Sequence, residues 1–209
     1  MTTANKHTPP VADAQRLGSE IREVRKARGL TLNQLSQQIS CSSAYLSRIE
    51  LGSARISAAL LHEISIALQV EAEWFFPNIC GSGPLEQSHV VRAENRRPLS
   101  GMYTRTVEEL GFQDELLSSS LSGQCYLLLS RFPAQLGAKS KHLEGYVFEG
   151  EQHGLVLSGE IKLQLGDESI ILCAGDSFSY PSMIAHRFSN NKDEEATMVW
   201  AMSPVRISW

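Results

Sequence analysis

The sequence has 209 residues, of which 42% are hydrophobic and 20% are charged, as in a folded globular protein and not in a disordered chain. No apolar run approaches the roughly 18 residues that a membrane helix needs, and residues 1–10 lack the apolar segment of a secretion signal. The net charge of −4 argues against a nonspecific nucleic-acid coat. The four cysteines are far apart and none forms a Cys-x-x-Cys pair, so we expect reduced thiols and a cytoplasmic protein.

The first part of the chain is predicted to be helical. Helical spacing of apolar residues predicts five short helices, which lie at 13–28, after Thr31, at 43–51, after Ser57 and at 71–76. Thr31 with Gln34 makes a capping-box pattern, and Ser42 and Ser57 are suited to cap the third and fourth helices. Five helices in so short a segment predict a compact domain.

The pattern changes after a linker at 78–87, which is rich in glycine, serine and proline. Short apolar runs then predict strands at 90–93, 103–107, 116–121, 126–132, 154–157, 161–165, 169–172, 177–180, 186–189 and 197–202. Many short strands at close spacing favour a sandwich or barrel. The predicted division is a disordered tail (1–12), a helical domain (13–77), a linker with a leading strand (78–102) and a β domain (103–209).

Residues 32–50 have the layout of a helix-turn-helix, in which one helix rests across the phosphate backbone and the next enters the major groove. Leu35, Ile39, Leu46 and Ile49 are predicted to hold the two helices at a fixed angle. The outward positions of the second of these helices can then meet bases; they are Ser43, Ala44, Ser47 and Arg48.

The segments LTLNQLSQQIS, SSAYLSRIELG and SAALLHEISIALQV resemble the phage-repressor-like family (XRE or Cro/repressor-type) over about residues 13–76. The resemblance implies a five-helix, lambda-repressor-like bundle and a buried ion pair between Arg25 and Glu50. It also implies the residues that face DNA: Ser42, Ser43, Ala44 and Arg48 at base edges, Tyr45 and Ser47 at the rim, and Gln34 and Arg55 at phosphates. Ser40 stands where such turns often use glycine, and a left-handed conformation would cost serine some free energy.

The segment from Gly175 to Asn190 fits the pattern G-x5-P-x4-H-x3-N, the second motif of the cupin superfamily, at every fixed position. This resemblance covers about residues 103–204 and implies a double-stranded β-helix, or jelly-roll, barrel with His186 directed inward. Together the two resemblances imply an XRE regulator with a C-terminal cupin sensor. The predicted fold class is therefore multidomain, with one α domain and one β domain.

The first cupin motif usually supplies two histidines and a glutamate to a metal. Aligning the chain on Gly159 places Tyr146, Phe148 and Gln152 at those positions. Because divalent transition metals prefer imidazole, carboxylate or thiolate donors, we expect no metal and no other cofactor. A rival register would use His142, Glu144 and Glu149, but it loses the Gly159 spacing.

An aromatic wall with a few hydrogen-bonding groups suits a small organic ligand. The predicted effector pocket consists of Tyr146, Phe148, Gln152 and His186. The alternative for His186 is a hydrogen-bonded core histidine in a barrel that binds nothing. Strand alternation is expected to place Tyr126 and Arg131 on opposite faces, and His153 away from Gln152.

The predicted function is a DNA-binding transcriptional regulator, a repressor and not an enzyme, whose cupin domain binds a small-molecule effector that modulates operator binding. Its predicted partners are double-stranded operator DNA, the effector and a second copy of the chain, because paired half-sites are usually read by dimers. Two alternatives stay open. One is a metal-dependent cupin enzyme fused to a helical domain, and the other is a ligand-independent DNA-binding protein with a dimerising barrel.

Overall fold

The computed structural model describes residues 11–76, 89–103, 105–121, 123–134 and 146–204. The chain divides into two compact units, Met1–Phe76 and Pro77–Trp209. The predicted linker at 78–87, residues 1–10 of the predicted tail, and His142 and Glu144 of the rival register lie outside the described residues. Within the described ranges, no helix has the length and apolar character needed to cross a membrane.

The first unit is a bundle of four α-helices and a final 3-10 helix. They are α1 (Val11–Ala27), α2 (Leu32–Gln38), α3 (Ser43–Glu50), α4 (Ala58–Leu68) and the 3-10 helix Ala72–Phe75. The first helix begins two residues before the expected position, so Val11 and Ala12, which the prediction assigned to the tail, are helical.

Side-chain caps start three of these helices. The Thr31 hydroxyl accepts the backbone N–H of Gln34, and the Gln34 side chain accepts that of Thr31, which completes the predicted capping box. Ser42 and Ser57 cap α3 and α4 in the same way, each accepting a backbone N–H three residues on. A cap of this kind stabilises a helix by about 1 kcal/mol because the first turn otherwise has unpaired N–H groups.

The core of the helical unit is formed by apolar residues that recur at helical spacing. The buried side chains include Ile21, Val24, Leu35, Ile39, Leu46, Ile49, Ile64, Leu68 and Phe75. These buried residues include the four that were predicted to hold α2 and α3 together. They are Leu35 in α2, Ile39 at the C-terminal end of α2, and Leu46 and Ile49 in α3.

The second unit contains nine strands within the described residues. They are β1 (Arg97–Pro98), β2 (Gln113–Leu116), β3 (Tyr126–Phe132), β4 (Glu151–Ser158), β5 (Glu160–Leu165), β6 (Glu168–Cys173), β7 (Ser177–Pro181), β8 (His186–Ser189) and β9 (Ala196–Ser203). Antiparallel pairing arranges them in a six-stranded sheet, β1-β2-β3-β9-β4-β7, and a three-stranded sheet, β6-β5-β8.

Aromatic side chains from both sheets meet in the interior of the second unit. The ring centroid of Phe188 on β8 lies 6.3 Å from that of Phe132 on β3 and 5.2 Å from that of Phe178 on β7. Alternation along a strand places every second side chain inside, as in β9, where the buried residues alternate with partly exposed ones.

Three predicted strands are wrong. Residues 90–93 form no strand, and the leading strand is instead Arg97–Pro98, which pairs with β2. The described residues of 103–107 form no strand, and Val107 instead begins a short helix, α5 (Val107–Leu110), which the capping box of Thr106 and Glu109 starts. The strand predicted at 116–121 ends at Leu116, since pairing with β3 selects Gln113–Leu116 instead.

Candidate functional site

Helix α3 presents the predicted base-reading face to solvent. Ser42, Ala44 and Arg48 are exposed, whereas Ser43 and Ser47 are half-buried. The opposite face of the helix is apolar and packs into the bundle. This division follows from the 3.6-residue period of the helix, which separates inward from outward positions.

The backbones of α3 and α1 pack closely against each other. A Cβ atom added at Gly18 of α1 would lie 2.2 Å from the backbone oxygen of Ile49, so only glycine allows this approach. Beside it, Arg25 and Glu50 form a buried bidentate pair, with Nε to Oε1 at 2.6 Å and Nη2 to Oε2 at 2.8 Å. The pair joins α1 to the last residue of α3 at the positions that the resemblance implied. These contacts hold α3 against α1, so the exposed face of α3 has a fixed position in the bundle.

The turn before α3 contains a strained residue. Ser40 has a φ of 50°, in the left-handed region that favours glycine. The N–H of Cys41 then donates to the Ser36 carbonyl at 3.1 Å, which closes the turn.

Tyr45 connects α3 to the loop that follows it. Its hydroxyl donates to the backbone oxygen of Arg55 at 2.8 Å, and the Arg48 guanidinium lies 5.7 Å from its ring centroid. A cation over an aromatic face is favourable by about 0.5–1 kcal/mol at an exposed site. Tyr45 therefore orients Arg48 and anchors the segment of Arg55. The sequence carried no signal for this tether, because the two residues lie in different elements.

The side chain of Gln34, a predicted phosphate contact, already has one partner. Its Oε1 accepts the N–H of Thr31 at 2.8 Å within the capping box. A phosphate oxygen is an acceptor and would take the Nε2 amide, so capping and phosphate binding use different atoms of Gln34.

In the second unit, His186 and Gln152 lie together in the interior. Both side chains are almost fully buried, at 2% and 1% exposure. Their Nε2 atoms are 2.8 Å apart, the His186 Nδ1 lies 2.8 Å from the Ile184 carbonyl, and the Tyr180 hydroxyl donates to Gln152 Oε1 at 2.9 Å. Since a carbonyl only accepts, Nδ1 carries the proton, and Nε2 then accepts from the Gln152 amide.

This network keeps His186 neutral. Burial lowers the pKa of its imidazole, and the hydrogen bond to the Ile184 carbonyl opposes that shift. Burial also raises the pKa of the Tyr180 hydroxyl, which stays protonated and donates. His153, the next residue after Gln152, is exposed beside Glu151, as strand alternation predicted.

Tyr146 and Phe148 complete the cluster that was predicted to bind an effector. Their ring centroids lie 6.3 and 5.4 Å from that of His186. The cavity that Tyr146, Gln152 and His186 share with neighbouring aromatic side chains measures only about 20 Å³, however, which is room for about one water molecule. The four predicted residues come together, but the interior beside them is filled.

Two other residues in the segment of the second cupin motif, Asp176 and the fixed Asn190, support the fold. The Asp176 carboxylate accepts the N–H of Cys173 at 2.8 Å and closes the turn after β6. The buried Asn190 amide donates to the carbonyls of Phe132 at 2.9 Å and Glu194 at 2.7 Å. The motif is therefore explained in large part by its structural duties.

The residues present do not fit the metal that the cupin fold commonly carries. Both ring nitrogens of His186 have partners, and Tyr146, Phe148 and Gln152 supply no carboxylate or second imidazole. Among the described residues, no group of three or more His, Cys, Asp or Glu side chains is arranged to hold a metal ion. No catalytic step through a metal follows from this donor set.

A second polar cluster, around Asp114, was missed by the sequence analysis. Asp114 on β2 is buried and accepts hydrogen bonds from the Tyr103 hydroxyl and the Ser130 hydroxyl. Trp200 Nε1 donates to the Ser130 Oγ at 2.6 Å. Burial raises the pKa of Asp114 to about 6, although the two hydroxyl donors oppose the shift. A local signal was available in the sequence, because the capping box of Thr106 and Glu109 indicates a helix where a strand was predicted at 103–107.

Each of the two units contains a match to a known protein family. The helix-turn-helix family matches residues 21–75, and the cupin domain family matches residues 148–202. No curated protein sequence matches the chain.

Similar solved structures include a regulator and an enzyme. A transcriptional regulator of the same helix-turn-helix family from Vibrio cholerae is 17% identical, with 92% of this chain and 97% of that chain covered and a TM-score of 0.38. Hydroxypropylphosphonic acid epoxidase from S. wedmorenis is 14% identical, with 91% of this chain and 97% of that chain covered and a TM-score of 0.44. Likenesses at this level carry no argument about the activity of this chain.

The prediction that the chain is not an enzyme is corrected by these comparisons. The solved structures of similar fold include an epoxidase as well as a regulator, so the prediction is withdrawn. The two family matches and the helix-turn-helix geometry are independent of that question. The chain has a helix-turn-helix region followed by a cupin domain, and the two matches together support a DNA-binding regulator with a cupin domain.

Proposed function

We propose that the chain is a repressor that binds operator DNA through α3 and that a small-molecule effector, bound by its cupin domain, modulates this binding. The repressor role rests on the resemblance to the family. Effector control rests on the presence of a cupin domain in the same chain as the helix-turn-helix. A ligand that binds one conformation of the protein more tightly shifts the population towards it and so changes the affinity for DNA.

The observation that carries the DNA-binding proposal is the position of Arg48. It is exposed on α3 while the other face of that helix is locked to α1 by the Gly18 approach and the Arg25–Glu50 pair. An arginine held in this way is suited to grip a guanine through two hydrogen bonds, which discriminates against other bases by about 1–3 kcal/mol. Arg55 and Gln34 would contact phosphates, which position the domain without reading sequence.

A homodimer is part of the proposal. One helix-turn-helix contacts few base pairs, so two copies are needed to read half-sites about one helical turn apart. The outer face of β4 supports a self-association surface, since Leu155 and Leu157 are exposed there while Val156 points inward. Light scattering coupled to gel filtration tests this, and a monomer at micromolar concentration would contradict it.

The DNA-binding test starts from selection of a binding sequence out of random duplex DNA by the full chain. We expect a two-fold symmetric sequence to be enriched. Arg48→Ala is expected to weaken binding to that sequence about 10- to 100-fold, since one bidentate contact is lost. Arg22→Ala, which removes an exposed arginine of α1 outside the predicted contact set, is the matched control. Equal affinity of both variants and the natural chain would show that α3 was wrongly assigned.

A ligand-independent DNA-binding protein is the second candidate. The observation in its favour is the small cavity beside His186, which leaves no room for an organic molecule. Operator affinity that no cupin-bound small molecule changes would favour this candidate over effector control.

A further inference from the structure

The cupin unit contains a larger cavity next to its filled interior. This cavity of about 330 Å³ lies between α5, the segment before it and β2, and Phe112 lines both it and the smaller cavity inside. A volume of this size is at the lower end of that of small-molecule sites. The predicted effector residue Tyr146 is adjacent, because Arg105 of this cavity lies over its ring at 5.5 Å.

Arg105 places a positive charge in the wall of this cavity. Its side chain is half-buried, and its polar partner among the described residues is the Tyr146 hydroxyl, at a long 3.5 Å. Within the described part of the chain, no carboxylate lies at ion-pair distance from Arg105. A guanidinium in such a position is suited to bind a carboxylate through two parallel hydrogen bonds.

Asp114 places a negative charge in the same wall. Its side chain is buried, and its partners among the described residues are the hydroxyls of Tyr103 and Ser130, with no cation. Each carboxylate oxygen has a second lone pair for another donor. A buried carboxylate without a cation is costly, so an ammonium group beside it would be stabilising.

The rest of the wall combines apolar and polar side chains. Val107, Leu110 and Phe112 supply aliphatic and aromatic surface, and the polar side chains are the exposed Ser100, Thr106, Glu108 and Gln113. A ligand that complements this cavity therefore combines a carboxylate, an ammonium and a small apolar group.

We propose that this cavity is the effector site and that it binds a small α-amino acid with an apolar side chain, the carboxylate on Arg105 and the ammonium on Asp114. The proposal rests on effector control as proposed above and names its ligand class and site. Binding would draw Arg105 from Tyr146, whose backbone exchanges hydrogen bonds with that of His186 at 2.8 and 3.1 Å. The barrel interior would thus sense occupancy of the cavity.

The first test uses the full natural chain and isothermal titration calorimetry. The probes are L-alanine, L-valine, L-leucine, L-isoleucine, L-methionine and L-phenylalanine. We expect at least one to bind, and its analogues without the ammonium or without the carboxylate to bind at least about tenfold more weakly, since each lacks one charged contact. For leucine these analogues are 4-methylpentanoate and 3-methylbutylamine. Failure of all six amino acids, or an analogue as tight as the parent, overturns the proposal without any variant.

The second test locates the site. Arg105→Gln and Asp114→Asn are each expected to weaken binding of the identified amino acid at least about tenfold. Arg92→Gln, which alters an exposed arginine of the same unit, is the matched control and is expected to leave affinity unchanged. Near-ultraviolet circular dichroism checks that each variant is folded. Unchanged affinity in folded Arg105→Gln shows that the site is elsewhere.

Operator binding with and without the amino acid separates this proposal from the one on which it rests. Binding in the cavity with no change in operator affinity supports the site and contradicts effector control. A different small molecule that shifts operator affinity equally in the natural chain and in Arg105→Gln supports effector control and overturns the site.

Discussion

Glu50 in the helical unit and Asp114 in the cupin unit are both buried carboxylates, but they are stabilised by different partners. Glu50 receives two hydrogen bonds from the guanidinium of Arg25, so its charge is compensated within the protein. Asp114 receives hydrogen bonds from two neutral hydroxyls and has no cation among the described residues. The first arrangement closes a helix junction, whereas the second leaves a charge that a ligand can still compensate.

The same contrast extends to the surfaces of the two units. In the helical unit the buried pair holds α3 in place, and the side chains proposed to contact DNA are exposed. A helix that binds in the major groove needs both features. In the cupin unit the polar side chains of interest face inward or into a cavity. A structural ion pair and a candidate ligand site thus differ in whether the protein itself satisfies the charge.

The largest effect is expected from Glu50→Ala. The substitution leaves the Arg25 guanidinium buried without its carboxylate and is expected to lower the free energy of unfolding by about 3–5 kcal/mol. Urea unfolding followed by far-ultraviolet circular dichroism measures this. Glu63→Ala on the exposed face of α4 is the control and is expected to cost little. Similar losses in both variants would mean that the buried pair contributes no more than a surface charge.

Asp114 is expected to make stability depend on pH in the direction opposite to that of a salt-bridged carboxylate. Its pKa is about 6 in the folded chain and 3.8 ordinarily, so the folded state holds the proton more tightly. The resulting stability is complete below pH 3.8 and is lost as pH rises through 6, a change of roughly 3 kcal/mol. Urea unfolding of the natural chain and of Asp114→Asn between pH 4 and pH 7 tests this, and parallel curves would contradict it.

Two glycine substitutions separate a packing constraint from a backbone constraint. Gly18→Ala is expected to cost about 1–3 kcal/mol because its Cβ would press on the backbone of α3, and also to weaken operator binding by shifting that helix. Gly175→Ala meets nothing within 4 Å but has a φ of 93°, so it is expected to cost about 1–2 kcal/mol with no effect on DNA. Thermal unfolding and gel shifts measure both, and intact operator affinity in Gly18→Ala would argue against a rigid seat.

The smallest effect concerns the turn before α3. Ser40→Gly is expected to stabilise the chain by up to about 1 kcal/mol, since glycine adopts a φ of 50° without the steric cost that serine incurs. Ser19→Gly, on an exposed position inside α1, is expected to have the opposite sign, about 0.5 kcal/mol destabilising. Thermal unfolding of the two variants decides it, and a shared sign would contradict a left-handed Ser40.

Local signals predicted the helical unit well because they act over three or four residues. The caps at Thr31, Ser42 and Ser57 are all formed as expected. In the cupin unit, β3 and β8 match their predicted bounds, five other strands differ from theirs by one to three residues at an end, and three predicted strands are wrong. A short apolar run becomes a strand only when a partner strand is available, and that depends on residues far along the chain.

The sequence by itself determined which side of α3 faces out, the capped helix ends, the cupin motif and the lack of carboxylate and imidazole groups in Tyr146, Phe148 and Gln152. Only the tertiary structure decided that the Gln152 amide occupies the His186 nitrogen, that Gly18 lies against α3, and that Arg105 and Asp114 share one cavity. The first group depends on residue type and on spacing within one element. The second depends on contacts between elements, whose distances no local pattern specifies.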